Sequence, residues 1–150
     1  MIYMTNKIVA IQGDNLKKIN IKTDTTIFLA HEAQNNGYKL FYYYPENLSN
    51  IRGKTVSEGY FIKIDYSKKK FYKILKKSKL DLSFAKYILI RQDPPFNLEY
   101  ISTTLMLDRI KDKTKIINDP TAVGSVIIFV LSLIISNNEK MGQFIRPTSN

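Results

Sequence analysis

Residues 87–96 read YILIRQDPPF: a strand-like apolar run meets an arginine, an acid and two prolines. Each proline fixes its φ at about −65°, lacks an N–H, and pushes the preceding residue out of the helical region. The strand must therefore stop at about Gln92. The next residues, Asn97-Leu98-Glu99-Tyr100-Ile101, start a helix, with Asn97 as the capping residue and Glu99 in the first turn, where the dipole favours an acid. Strand, rigid turn and helix in that order place Arg91 and Asp93 at the carboxyl end of a strand, where open α/β sheets bind ligands.

Other segments extend the pattern. Lys7 to Gln12 is a short apolar run closed by Gly13-Asp14, as expected of a buried strand. Asp24 or Thr23 can cap a helix over Thr25 to Asn36, with Ile27, Phe28, Leu29, Ala30 and Ala33 on its covered face and Gly37 as the stop. Lys39 to Tyr44 reads as a second strand, parallel to the first through a right-handed crossover. Val56 to Tyr66 alternates like a strand or hairpin. Ser67 to Lys79 reads as a helix with Phe71, Ile74 and Leu75 on one face and lysines around the rest. The final units are a strand over Lys86 to Ile90, a helix from Leu98 to about Ile110 with Leu98, Ile101 and Leu105 facing the core, and a strand over Thr114 to Asn118. One α/β domain to about Val123 results, with a mostly parallel sheet and helices on both faces.

Composition narrows the chemistry. The chain has 150 residues, no cysteine and one histidine, His31, which falls mid-helix as a surface or packing residue. Thiolate metal sites, cysteine nucleophiles and histidine triads are thereby excluded, and the cysteine count suits a reducing cytoplasm. The loop after the first strand carries neither GxGxxG nor GxxxxGK[ST]. A formal charge of +10 invites a nucleic-acid reading. Lysine far outnumbers arginine, however, and the lysines read better as solvated faces, so no nucleic-acid or membrane partner is expected. The apolar run Val126 to Ile135 is far short of the roughly 20 residues that span a bilayer and reads as a buried or misplaced segment. What remains is a crevice lined by Asp14, Asn20, Lys22, Thr25, Arg91 and Asp93. Its mixed signs suit a small zwitterion: Arg91 can grip a carboxylate, Lys22 adds a point charge and an aspartate accepts an ammonium. Asp14 and Asp93 can equally cap the helices that follow them.

Two motifs, Asn20-Ile21-Lys22-Thr23-Asp24-Thr25-Thr26 and Arg91-Gln92-Asp93-Pro94-Pro95-Phe96, resemble the amino-terminal domain of prokaryotic glutathione synthetase. Glu32-Ala33-Gln34 before Gly37, the aromatic Phe41-Tyr42-Tyr43 and Asn118-Asp119-Pro120 follow in the same order, so the resemblance covers roughly residues 7 to 123. It implies a Rossmann-like pre-ATP-grasp fold. The family joins γ-glutamylcysteine to glycine using ATP and Mg2+, by way of an acyl phosphate, in the cytoplasm. By that likeness Asn20, Ile21, Lys22, Thr25, Asp14 and Asp93 lie near the dipeptide and Arg91 neutralises carboxylate charge at the reacting centre. The chain departs from the family's pattern at Gly13-Asp14-Asn15, where relatives usually have Met-Asp-Pro. It departs again after Val123, where residues 124–150 form an atypical tail, read as truncated or frame-shifted, with no counterpart of the ATP-grasp domains. The expectation is an inactive substrate-binding domain of 1–123 whose partners are the missing domains, with a homo-oligomer left open. A stand-alone γ-glutamyl-peptide module and a basic nucleic-acid-binding domain are the alternatives.

Overall fold

The structure, a computed structural model, describes residues 7–91, 97–117 and 129–135. Gln92, Asp93, both prolines, Asn118-Asp119-Pro120 and most of the 124–150 tail lie outside the described residues.

The first apolar run is β1 (Ile8–Gln12), at the middle of a seven-stranded sheet. It pairs in parallel with β2 (Lys39–Tyr43) on one edge and with β6 (Tyr87–Ile90) on the other. Crossing between β1 and β2 is α1 (Thr25–Asn35), where Asp24 caps the helix by accepting a hydrogen bond from the Ile27 N–H at 2.8 Å. Gly37, at φ 86°, takes the left-handed conformation that ends it, as the sequence predicts. After β6 comes α2 (Leu98–Asp108), capped by Asn97, and then β7 (Lys115–Ile117), parallel to β6.

The alternation along β1 sends Val9 and Ile11 to one face and Ala10 to the other, and each face is covered by a helix. Ile27, Leu29, Ala30 and Ala33 of α1 pack with Val9, Ile11, Leu40 and Tyr42. Leu107 of α2 and the following Ile110 pack with Ala10, Phe41, Ile88 and Ile90 on the reverse face. Full burial of each valine, leucine, isoleucine or phenylalanine among them contributes about 1.5–3 kcal/mol. An α/β domain with helices on both faces is therefore what the chain forms.

Beyond β2 the sheet is built around one long strand, β4 (Lys54–Ile64). Its one edge takes β2 and β3 (Leu48–Ile51) end to end, and its other edge takes β5 (Tyr72–Asp81). Only β4 runs against the common direction, so the strands are mostly parallel in orientation. Gly59 of β4 is required here: a Cβ would stand 2.5 Å from the Tyr42 backbone oxygen.

Three expectations are corrected: the helix over residues 67–79, the covered stripe of α2, and Phe28 on the covered face of α1. Residues 67–79 do not form a helix; from Tyr72 on they are strand β5. The turn before it is set by Asp65, whose Oδ1 accepts hydrogen bonds from the Ser67 N–H and hydroxyl, and a hairpin onto β4 outweighs three apolar residues at helical spacing. The lysines fit an edge strand, where they discourage pairing with other chains. Secondly, α2 is turned so that Thr103 and Leu107 are buried, while Leu98, Ile101 and Leu105 are 81%, 51% and 63% exposed. The helix is apolar on more than one side, and contacts rather than periodicity chose the face. Phe28 of α1 likewise points outward. In the apolar run near the end of the chain, residues 129–135 are helical and pack on the sheet: Phe129 and Leu133 are buried, and the Phe129 ring meets Tyr87 edge to face at 5.1 Å.

Candidate functional site

From β1 the chain leaves through α1 on one face of the sheet to β2; from β6 it leaves through α2 on the other face to β7. The carboxyl ends of β1 and β6 thus form a topological switch point, where a crevice opens between the diverging connections. The residues at its mouth are Gly13 and Asp14 after β1 and Arg91 after β6, whose N–H donates to the Gln12 carbonyl at 2.8 Å.

Arg91 is held between two aspartates. Its Nε donates to the Asp24 carboxylate, and its Nη1 lies 3.4 Å from Asp14 Oδ2. The two contacts differ in kind. The Asp24 side chain is 3% exposed and also caps α1, whereas that of Asp14 is 45% exposed and its contact is long. Asp24 is thus a fixed anchor for the guanidinium and Asp14 an exchangeable partner. Under Asp14, the Tyr42 hydroxyl donates to the Asp14 carbonyl at 2.5 Å. Burial pushes the Tyr42 phenol far above its ordinary range, so it stays a neutral donor. Gly13 is what lets Tyr42 reach: a Cβ there would stand 2.3 Å from the hydroxyl oxygen. Beside this group a hollow of about 330 Å³ is lined by Gly13, Asp14, Asn15, Tyr44, Glu46 and Glu99. Two aspartates about one arginine leave a net negative charge, and Glu46 and Glu99 add to it, so the hollow attracts cations such as ammonium.

The other expected site residues are placed around this core. Asn20 forms the turn that delivers Asp24: its Oδ1 accepts from the Lys22 N–H at 3.1 Å and its carbonyl from the Thr23 and Asp24 N–H groups. Ile21 packs on the α1 cluster, Lys22 is exposed and Thr25 opens α1. Asp93 lies outside the described residues. Arg91 and Asp14 are brought together as the sequence suggests. Asp24 is the residue that sequence reasoning took only for a cap; an acid at a helix start is such a common cap that nothing local betrays a second partner. His31 stands apart, its ring edge to face with Tyr66 at 4.7 Å.

Residues 8–123 match the family described as prokaryotic glutathione synthetase, N-terminal domain. The chain belongs to this family. It is 39% identical over 115 residues to the glutathione synthetase of Mesorhizobium japonicum, covering 77% of this chain and 37% of that protein. Against the glutathione synthetase of Agrobacterium fabrum the identity is 41% over 117 residues, 78% of this chain and 37% of the relative. With that of Escherichia coli it is 34% over 111 residues, 73% and 35%. The chain thus spans little more than a third of the length of these relatives. Asp14, Asp24 and Arg91 all fall inside the stretch matched to the glutathione synthetase family, whereas helical residues 129–135 fall beyond it. No helix among the described residues is long and apolar enough to cross a membrane.

Proposed function

We propose that this chain supplies the dipeptide-binding amino-terminal part, residues 1–123, of a glutathione synthetase: an ATP-dependent carbon–nitrogen ligase that joins γ-glutamylcysteine to glycine in the cytoplasm. The observation that carries the reading is Arg91, fixed on one side by buried Asp24 and met on the other by exposed Asp14. A substrate carboxylate takes the place of Asp14 on the guanidinium, and the released Asp14, with Glu46 and Glu99, receives the γ-glutamyl ammonium. Asn20, Ile21, Lys22 and Thr25 shape the approach, and Asp93 joins them as a substrate-binding residue. On this reading ATP and magnesium belong to the ATP-grasp part of the family's longer chain, where they would activate the cysteinyl carboxylate. This chain's residues bind and orient the dipeptide.

A second reading is favoured by helical residues 129–135, which lie beyond the matched stretch and pack on the sheet through Phe129 and Leu133. The chain then works as a separate γ-glutamyl-peptide binding module. Calorimetric titration with γ-glutamylcysteine tests the substrate role common to both. Saturable binding is expected, weakened about 10- to 100-fold in Arg91→Ala by loss of a charge-assisted contact of roughly 1.5–3 kcal/mol. Binding that is unchanged in Arg91→Ala removes the crevice from the reading, and no binding by the folded chain overturns the substrate role.

A further inference from the structure

A second hollow, of about 530 Å³, opens on the other side of the segment that follows β1. Its floor is Leu16, Ile19, Phe71 and Tyr72, of which Leu16, Phe71 and Tyr72 belong to the buried core. Two separate stretches of chain bring lysines to its rim. Lys17 stands on the single turn of 3-10 helix after Asn15, and Lys69 and Lys70 on the turn between β4 and β5. The Lys70 ammonium lies 4.9 Å from the centre of the Tyr72 ring. None of these three lysines forms an ion pair with a carboxylate among the described residues. Asp65, the acid nearest in sequence to the β4–β5 lysines, spends its Oδ1 on the Ser67 N–H and hydroxyl.

We propose that this hollow is a binding site for a small organic anion, one or two acidic groups on an apolar body. The floor is rigid, because its side chains are part of the packed core, and it offers an apolar surface to cover. The rim offers ammonium groups from two directions, positioned to meet acidic groups while the body lies below. A volume of this size falls in the range of small-molecule sites, about 300–1,000 Å³, and not of an extended polyanion track. The site is distinct from the Arg91 crevice: that hollow is acidic and lined through Asn15, whereas this one is basic and begins at Leu16. It stands whether or not the crevice binds a dipeptide.

The test is an amide-resolved NMR titration of the full chain with phenyl phosphate, with inorganic phosphate at matched ionic strength as the comparison. Phenyl phosphate should shift the amides of residues 16–19 and 69–72 saturably. Inorganic phosphate, lacking the body, should bind roughly tenfold more weakly. The charge reversals Lys17→Glu and Lys69→Glu/Lys70→Glu should each weaken phenyl phosphate by roughly tenfold or more, while Lys113→Glu, the same change at a distant exposed position, leaves it unchanged. The same spectra report whether each variant is folded. Equal affinity for the two phosphates, equal weakening by Lys113→Glu, or no localised shift would each overturn the proposal.

Discussion

The Asp24 side chain has two structural duties, and they can be separated by substitution. Asparagine still caps α1 but removes the charge beside Arg91. Asp24→Asn should therefore destabilise the chain by roughly 1–3 kcal/mol in urea unfolding, since the arginine loses its buried partner while keeping some contact with water. Asp14→Asn, at the exposed partner, should cost less than about 1 kcal/mol in the same measurement. Tyr43 offers the opposite case. Its ring is fully buried and its hydroxyl has no hydrogen-bond partner among the described residues. Tyr43→Phe should leave the urea midpoint unchanged or raise stability by up to about 1 kcal/mol, because it removes an unpaired polar group without opening space. At this scale the position of Arg91 and Asp14 at neighbouring strand ends was legible, since prolines and a glycine mark those ends. Asp24's second role was hidden because its partner arrives from the far end of β6.

Among the elements, the strands of the parallel core were legible because each is a short apolar run closed by Gly, Pro or Asp. The edge was not. Whether residues 72–81 coil or extend depends on β4 lying beside them, and lysine-rich stretches carry little local preference strong enough to decide. For α2 the pattern offered more than one apolar face, and the stripe at Leu98, Ile101 and Leu105 is the one left outside. Polar substitution there, as in Leu105→Gln, should change stability by no more than about 0.5 kcal/mol. Phe129→Ala should behave quite differently, costing about 3–5 kcal/mol, because it empties a fully buried site against Tyr87. Thermal unfolding of the two variants side by side distinguishes a helix that belongs to the core from an appended tail.

For the whole molecule, the tyrosines set a limit at high pH. Burial raises the phenols of Tyr42 and Tyr43 far above the usual value of 10.0, and those of Tyr44, Tyr66 and Tyr87 to lesser degrees. Below that value the folded and unfolded chains both keep the proton, and these groups give no pH dependence. As pH rises past it, the unfolded chain releases protons that the folded chain retains, so stability falls. Urea midpoints should drop steadily above about pH 10, with tyrosinate absorbance appearing together with loss of circular dichroism, and Tyr43→Phe should make the decline shallower. A flat profile there would mean the aromatic centre of the sheet is open to water.

The central place of β1 has a consequence during synthesis. One of its edges is closed by β2, only some thirty residues later in the sequence, but the other waits for β6, close to residue 90. At roughly 5–20 residues per second, a ribosome leaves that second edge exposed for several seconds. In that interval the nascent chain carries an apolar strand with one unmatched row of backbone donors and acceptors, which makes the first half of the molecule the stage at which chaperone capture or mispairing competes with folding.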